Sequence, residues 1–253
     1  MRAIAGMSVI VTGAGSGLGE GIARSFAAHG AKVTICGRRA DKIAAVAQAI
    51  GPACLAVTGD VTQAPDREAI VAAALAHGGG IDVLVNAAGN MLRGPIETLD
   101  QTALLDVFNT NVVGAMMLTG LATPHLAARE GSVIFFGSVH TRRAFPGASP
   151  YAATKGALEA LTRVLAAELG PRRIRVNCIV PGAVPTEINQ RAGLYDDAVA
   201  AERMKALAPL HALGRIGTAE EIAEAVAYLA CAEWTTGAVL DADGGLGLGV
   251  SHF

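Results

Sequence analysis

The chain reads as an open, doubly wound α/β sheet of about seven parallel strands with helices on both faces, forming one domain over residues 1–253. Three observations predict this. Short apolar runs alternate with longer segments of helical periodicity about seven times along the chain, and such alternation implies a parallel sheet covered on both sides. Hydrophobic residues make up 52% of the chain and charged residues 17%, a balance that suits extensive burial and excludes intrinsic disorder. No shift in composition marks a second domain.

The first strand, Ser8-Val9-Ile10-Val11-Thr12, breaks into Gly13-Ala14-Gly15-Ser16-Gly17-Leu18-Gly19. A helix follows, with Ile22, Ala23, Phe26 and Ala27 on its apolar stripe and a stop at Gly30. A glycine-rich turn at a helix N-terminus lets backbone N–H groups approach a pyrophosphate, and the helix dipole favours its charge. The spacing Gly13-x-x-x-Gly17-x-Gly19 is not Gly-x-Gly-x-x-Gly, so the strand–turn–helix context carries the reading. A second strand over 32–36 ends in Gly37-Arg38-Arg39. Dinucleotide folds place an acid here for the ribose 2′-hydroxyl, and two arginines stand in its neighbourhood instead. A guanidinium on a 2′-phosphate makes charge-assisted hydrogen bonds of roughly 1.5–3 kcal/mol, which favours NADP(H) over NAD(H); the alternative is a pair of solvated arginines at a strand end.

A helix over 41–50 and a strand over 54–58 lead to Gly59-Asp60-Val61. Asp60 follows a strand's carboxyl end, where open α/β sheets bind ligands; it either touches an adenine or caps the helix that starts near Pro65. Gly78-Gly79-Gly80 is a turn, the fourth strand covers 81–85, and Asn86-Ala87-Ala88-Gly89 is another small-residue turn at the same edge. One long helix over 99–128 carries Asn111 midway. An asparagine there is ordinarily exposed or tolerated, whereas a kinked helix gives it a function. The fifth strand, Val133-Ile134-Phe135-Phe136-Gly137, closes on Ser138, and a helix over 151–169 opens with Tyr151 and Lys155. A sixth strand over 174–180 ends in Pro181-Gly182. Residues 187–210 have weak periodicity and mixed polarity, which reads as a mobile lid of short helices over the substrate. A helix over 219–230 and a strand over 238–241 complete the alternation.

The chemistry gathers at Ser138, Tyr151 and Lys155. A spacing of four puts the phenol and the ammonium on one face of a helix. A free tyrosine has a pKa of about 10, so about one in a thousand is ionised at neutral pH; a neighbouring cation favours the phenolate. Such a tyrosine can exchange a proton with a carbonyl or alcohol oxygen that the serine hydroxyl also holds. The bland alternative is a surface tyrosine beside a lysine whose stem covers an amphipathic helix.

A net charge of −2 gives no electrostatic case for nucleic acid or an anionic membrane. No uninterrupted apolar run reaches the roughly 18 residues of a membrane span, and residues 1–6 run into a strand without a leader-type apolar region. The four cysteines lie far apart, without a Cys-x-x-Cys pair, and read as free core thiols. A cytoplasmic protein is expected.

Taken in order and at their spacings, Thr12-Gly13-x-x-x-Gly17-x-Gly19, Asp60, Asn86-Ala87-Ala88-Gly89, Asn111, Ser138, Tyr151-x-x-x-Lys155 and Pro181-Gly182 through Thr186 resemble the pattern of the short-chain dehydrogenase/reductase family, over essentially the whole chain. The resemblance implies a Rossmann-type fold and an NAD(P)(H)-dependent oxidoreductase that moves hydride between nicotinamide and a ketone or secondary alcohol. It implies Tyr151 as general acid/base, with Lys155 lowering its pKa and holding the nicotinamide ribose. Ser138 would bind the substrate oxygen, and Asn111 would kink its helix to bind a water relaying protons to Lys155. Gly13, Ser16, Gly17, Leu18 and Gly19 would surround the pyrophosphate and adenosine side. Asp60 and Val61 would face adenine, Asn86, Ala87, Ala88 and Gly89 would flank it, and Pro181, Gly182, Val184 and Thr186 would lead to and hold the carboxamide. No metal is implied. Ser16 departs from the basic residue that many NADP-preferring relatives carry. Neutral tyrosine already suits reduction; only alcohol oxidation needs it half-ionised near pH 7, a change of roughly 4 kcal/mol.

Candidate substrate-lining residues are Asn90, Met91, Leu92, His140, Arg142, Phe145 and Gly182, beside Ser138 and Tyr151. His140, Arg142 and Arg143 form a basic cluster that reads either as a site for an acidic substrate or as a solvated loop. The leading expectation is a carbonyl reductase or alcohol dehydrogenase acting on a small molecule. The alternative is a 3-oxoacyl-[acyl-carrier-protein] reductase, with Arg129 and Arg172 standing where such reductases carry arginines for an acidic carrier. A protein that senses NADP(H) without turnover is a third reading. Apolar residues on several faces of the helices near Asn111 and Tyr151, with the resemblance, imply a homo-oligomer, a tetramer.

Overall fold

The computed structural model describes residues 1–249; the last positions of the expected 1–253 domain lie outside the described residues. Seven strands, β1 (Ser8–Thr12), β2 (Lys32–Gly37), β3 (Cys54–Thr58), β4 (Val83–Asn86), β5 (Ser132–Phe136), β6 (Arg175–Pro181) and β7 (Val239–Ala242), form one parallel sheet in the order β3-β2-β1-β4-β5-β6-β7. Strands β1, β2, β4, β5 and β6 bury side chains on both faces. In β5, for example, Ile134 and Phe136 join one apolar cluster, while Val133 and Phe135 join the other. Such two-sided burial is why these strands read as continuous apolar runs rather than as alternating ones.

Helices α1 (Gly17–Ala28), α2 (Ala40–Ile50) and α9 (Ala219–Cys231) cover the first face, contributing Ile22, Phe26, Ile43, Val226 and Leu229. Helices α3 (Ala64–Gly78), α4 (Gln101–Phe108), α5 (Gly114–Ala128) and α6 (Ser149–Leu169) lie on the other, where Ile70, Leu118, Leu126 and Leu158 pack. Local signals set the boundaries. Thr218 and Glu221 form a reciprocal capping box at the start of α9, and Gly79 ends α3 in the left-handed region at φ 71°.

Three expectations need correction. The long helix over 99–128 is not uniform: α4 and α5 are joined through a π-helical turn, Asn109–Val113. Asp60 does not cap α3, whose N-cap is Gln63; its carboxylate instead accepts from Thr62 N at 2.9 Å. The fourth strand starts at Val83 rather than Ile81, because Asp82 spends its N–H on Ser8 O (2.8 Å) and its carboxylate on Ser8 N (2.9 Å) and Arg2 (2.9 Å). In addition, Gln101–Ala128 is long and apolar enough on average to cross a membrane, despite its polar interruptions. In the fold its Leu118, Ala122 and Leu126 are fully buried against the sheet.

The topology fixes where a ligand goes. Strand order reverses between β1 and β4, so the connections leaving these two strands diverge and open a crevice at their carboxyl ends. Register puts Thr12 beside Cys36, Val11 beside Val85 and Phe136 beside Ile179. Gly13, Gly37, Ala87, Gly137 and Gly182 thereby lie along one edge.

Candidate active site

A cleft of about 100 Å³, open to solvent at its mouth, occupies the crevice. Of the residues expected to hold nucleotide, Gly13, Arg38, Arg39, Asp60, Val61, Ala88 and Gly89 line it. Gly13 has φ 67°, and a Cβ there would stand 2.7 Å from Ala88 Cα, so only glycine leaves both the turn and the cleft floor intact. A Cβ on Gly19 would meet Gly13 O at 2.6 Å, which explains how α1 starts so close beneath the turn. The turn also reaches the other expected loop: a Cβ on Gly17 would lie 3.1 Å from Thr186 Cγ2.

Other expected nucleotide residues shape the site from beneath. Asn86 is buried in β4; its amide donates to Thr119 Oγ1 at 3.2 Å, and its Oδ1 has no partner. Val184 is buried behind the Pro181-Gly182 turn, and a Cβ on Gly182 would collide with Asp243 O at 2.6 Å. The arginines after β2 are not free. Arg39 is paired with Glu187 at 2.8 Å and donates to Ser16 Oγ at 3.0 Å, while Arg38 faces Asp60 at 3.8 Å and Asn90 Oδ1 at 3.5 Å. Arg191 supplies a third guanidinium to the cleft. The sequence reading missed it, since no motif marks a lone arginine inside the expected lid.

The catalytic candidates converge beside this cleft. Ser138 follows β5; Tyr151 and Lys155 sit in the first turns of α6, and all three are nearly buried at 7%, 8% and 6% exposure. Lys155 Nζ donates to Phe136 O at 2.9 Å and lies 5.4 Å from the Tyr151 ring centre. Burial pushes the Lys155 pKa down to about 8. Burial pushes the Tyr151 pKa up to about 12, opposed by a hydrogen bond with Ser138 and by the charge of Arg93. In this structure desolvation outweighs the favourable partners of the phenol.

Asn111 lies in the π-turn at 1% exposure. Its Oδ1 accepts from Asn90 N at 2.8 Å, and its Nδ2 donates to Asn90 O (3.0 Å) and Thr154 Oγ1 (3.0 Å). The side chain therefore pins the turn after β4 to α6. The expected kink is present, and the side-chain amide is spent on protein partners.

His140 and Arg93 complete the site, and only the histidine was expected there. Arg93 donates to His140 Nε2 at 3.1 Å, and His140 Nδ1 lies 3.0 Å from Ser138 Oγ. Arginine has donors only, so Nε2 must accept, and the ring proton resides on Nδ1 and donates to Ser138. Burial, with the charges of Arg93 and Lys155, lowers the His140 pKa to about 4 and keeps the ring neutral. The Ser138 hydroxyl hydrogen is thus left to point away from His140, towards the Tyr151 hydroxyl. Phe145 packs on His140 with ring centres 4.5 Å apart, and His140 meets Tyr151 edge-on at 5.2 Å. Arg142, expected among the lining residues, turns instead to Glu159 (2.7 Å) and Asp241 (3.0 Å).

Residues 187–210 form short helices, α7 (Ile188–Arg191) and α8 (Asp197–Leu207), and neither buries a residue fully. Met204, Leu207 and Leu210, like Phe145, pack against the buried cluster of Val139, Ala183 and Leu246. Arg129 and Arg172 are exposed at the amino-terminal edge of the sheet, opposite Ser138, so they do not border this site.

A dinucleotide crevice beside a buried Ser-Tyr-Lys cluster defines a nucleotide-dependent catalyst of proton transfer at oxygen. Comparison with known proteins agrees. A family profile described as enoyl-(acyl carrier protein) reductase matches residues 13–247. The chain is 39% identical to an oxidoreductase of Methylorubrum extorquens, over 97% of this chain and all of that one. It is 36% identical to the glucose 1-dehydrogenase of Gluconobacter oxydans, over 96% and 93% of the two chains. The crystal structure of 3-ketoacyl-(acyl-carrier-protein) reductase from Brucella melitensis complexed with NADH superposes with a TM-score of 0.86 at 33% identity, covering 96% and 99%. The chain belongs to the short-chain dehydrogenase/reductase family. It is an oxidoreductase of that family, acting on CH–OH or carbonyl groups with a nicotinamide cofactor.

Proposed function

We propose that this protein is a carbonyl reductase or alcohol dehydrogenase in which Tyr151 exchanges the proton, Ser138 holds the reacting oxygen, and Lys155 and Asn111 keep the site in place. The convergence of Ser138, Tyr151 and Lys155 beside the Gly13 cleft, where a Cβ on the lining residue Gly89 would stand 3.9 Å from Lys155 Nζ, carries this reading. The residues present fit a dinucleotide: a cradle at Gly13 that a Cβ would fill, and guanidinium groups of Arg38, Arg39 and Arg191 on its walls. Bound there, the cofactor supplies or accepts hydride at the carbon of a ketone or secondary alcohol. In reduction the C=O π bond opens, and its oxygen takes the Tyr151 proton. With a pKa near 12, Tyr151 stays protonated throughout the neutral range, which suits reduction, and Ser138 donates to the same oxygen as negative charge develops there. Oxidation requires the phenolate, which Lys155 and Arg93 stabilise as cations.

NADP(H) is the preferred cofactor, supported by the absence of an acid at the end of β2 and by Arg38 and Arg39 in the cleft. Residues 187–210 serve as the substrate lid of the single domain. Exposed Val113, Met116, Met117 and Val164 on the outer helices support a homo-oligomer, a tetramer, and a cytoplasmic location goes with this reading. A second reading, reduction of a 3-oxoacyl group on acyl-carrier protein, draws on the Brucella melitensis relative; Arg129 and Arg172 do not support it within one chain. The test is consumption of NADPH, and separately NADH, against ketones, sugars, oxo acids and 3-oxoacyl thioesters, with Tyr151→Phe alongside. Turnover lost in the variant supports the assignment; unchanged turnover refutes Tyr151 as the proton donor.

A further inference from the structure

We propose that the substrate is a carboxylate-bearing ketone or secondary alcohol, its carboxylate pairing with Arg93 while its reacting oxygen meets Ser138 and Tyr151. This inference rests on the oxidoreductase reading above and names the substrate class for the same site. It begins with an imbalance. Arg93 uses one terminal nitrogen on His140, its Nε is buried without a partner, and no ion pair with a carboxylate forms among the described residues. Three other arginines near the core or the site make their bonds within the protein. Arg175 donates to Leu229, Ala230 and Ala232 carbonyls, Arg67 donates to Val61 O, and Arg142 is held by Glu159 and Asp241. A buried donor without an acceptor is unfavourable, so a guanidinium kept in this state beside the reacting groups points to an acceptor that arrives with the substrate.

Location supports the same conclusion. The Arg93 charge reaches both His140 and the Tyr151 hydroxyl, and no carboxylate is among the groups acting on either. Lys155 adds a second cation, and His140 is neutral, so the surroundings of the reacting oxygen are net positive. Arg143, on the same loop as Ser138 and His140, carries a further buried nitrogen without a partner. The basic cluster legible in the sequence thus divides: Arg142 is a structural tie, while Arg143, like Arg93 outside the cluster, keeps an unused donor. A guanidinium offers paired N–H groups in a plane that a carboxylate matches with two hydrogen bonds. A neutral ketone of the same size leaves those donors unsatisfied.

The experiment compares short-chain 2-oxo and 3-oxo acids with their methyl esters in a nicotinamide absorbance assay, using wild type, Arg93→Gln and Arg93→Lys. The wild type is expected to favour an acid over its ester by about 10- to 100-fold in kcat/KM, from one charge-assisted pair. Arg93→Gln collapses that ratio towards unity, and Arg93→Lys restores part of it. Melting temperature and NADPH affinity of both variants verify that the fold is kept. Equal use of acid and ester by the wild type, or a ratio that survives Arg93→Gln, overturns the proposal and leaves the oxidoreductase reading standing. Absence of turnover with acids, esters and neutral ketones alike, while nucleotide still binds, overturns the oxidoreductase reading and this proposal with it.

Discussion

Replacing Arg39 by alanine should separate the two nicotinamide cofactors. Arg39 ties three segments together: the residue after β2, the turn after β1 through Ser16, and the lid through Glu187 at 2.8 Å. A 2′-phosphate must take this guanidinium from Glu187. Charge-assisted pairing with phosphate contributes about 1.5–3 kcal/mol. The displaced pair, with side chains 37% and 42% exposed, is worth about 0–1 kcal/mol in solvent. The net advantage is about 0.5–3 kcal/mol, or roughly 2- to 150-fold in affinity. Arg39→Ala should therefore raise the NADPH Kd by that factor and leave the NADH Kd within about twofold. Glu187→Gln removes the competitor and should tighten NADPH binding by up to about fivefold. Fluorescence titration at fixed ionic strength measures both constants, since salt screens an exposed pair. Equal weakening of NADPH and NADH in Arg39→Ala would sink the argument, because the arginine would then act on a part the cofactors share.

Three further outcomes follow from the geometry. Tyr151→Phe should lower turnover by at least about 10²-fold while nucleotide affinity stays near wild type; steady-state rates with a binding titration check it. Lys155 is buried with its pKa lowered to about 8, whereas the unfolded chain holds that proton to about 10.4. Over that window the unfolded state binds more protons and stability rises with pH. Lys155→Met should thus be inactive yet more stable than wild type at pH 7 by about 1–2 kcal/mol after loss of the Phe136 hydrogen bond, with the gap closing between pH 8 and 10; melting curves across that range decide it. Gly13→Ala should abolish nucleotide binding and destabilise the fold by about 1–3 kcal/mol, since its φ is 67° and its Cβ would lie 2.7 Å from Ala88 Cα; denaturant unfolding beside a nucleotide titration tests both.

The sheet was legible because strands buried on both faces leave unbroken apolar runs such as Val133 to Phe136, and glycine-rich turns such as Gly13 to Gly19 end them. Tyr151 and Lys155 were legible because helical spacing alone places them together. Arg93 was not: it meets His140 across 47 positions, and nothing in Gly89-Asn90-Met91-Leu92-Arg93 signals that contact. The role of Arg39 escaped for the same reason, since its partner Glu187 stands 148 positions away. Charge spacing around the phenol is visible in a sequence, whereas the depth of burial that raises its pKa here is not. Asn111 was visible as an anomaly, but the turn that accommodates it is a property of the folded backbone.

That turn sets the rotational phase of a whole helix. Buried positions on the α4–α5 rod include Val107, Asn111, Ala115, Thr119 and Thr123, at intervals of four. Four α-helical residues turn through about 400°, so such a stripe would drift by about 40° at each step. The wide turn at Asn109–Val113 takes up part of that excess and keeps Asn111 facing α6 while Leu118 and Leu126 face the sheet. A substitution here removes one contact. Were the same five residues ordinary α-helix, everything after them would rotate by roughly a quarter turn and carry the apolar face of α5 off the sheet. Deleting a single codon within 109–113 instead lets the backbone close into α-helix with that face still seated, at the expense of the Asn111 contacts to Asn90 and Thr154. The extra residue of the turn thus serves Asn111 rather than the packing of α5.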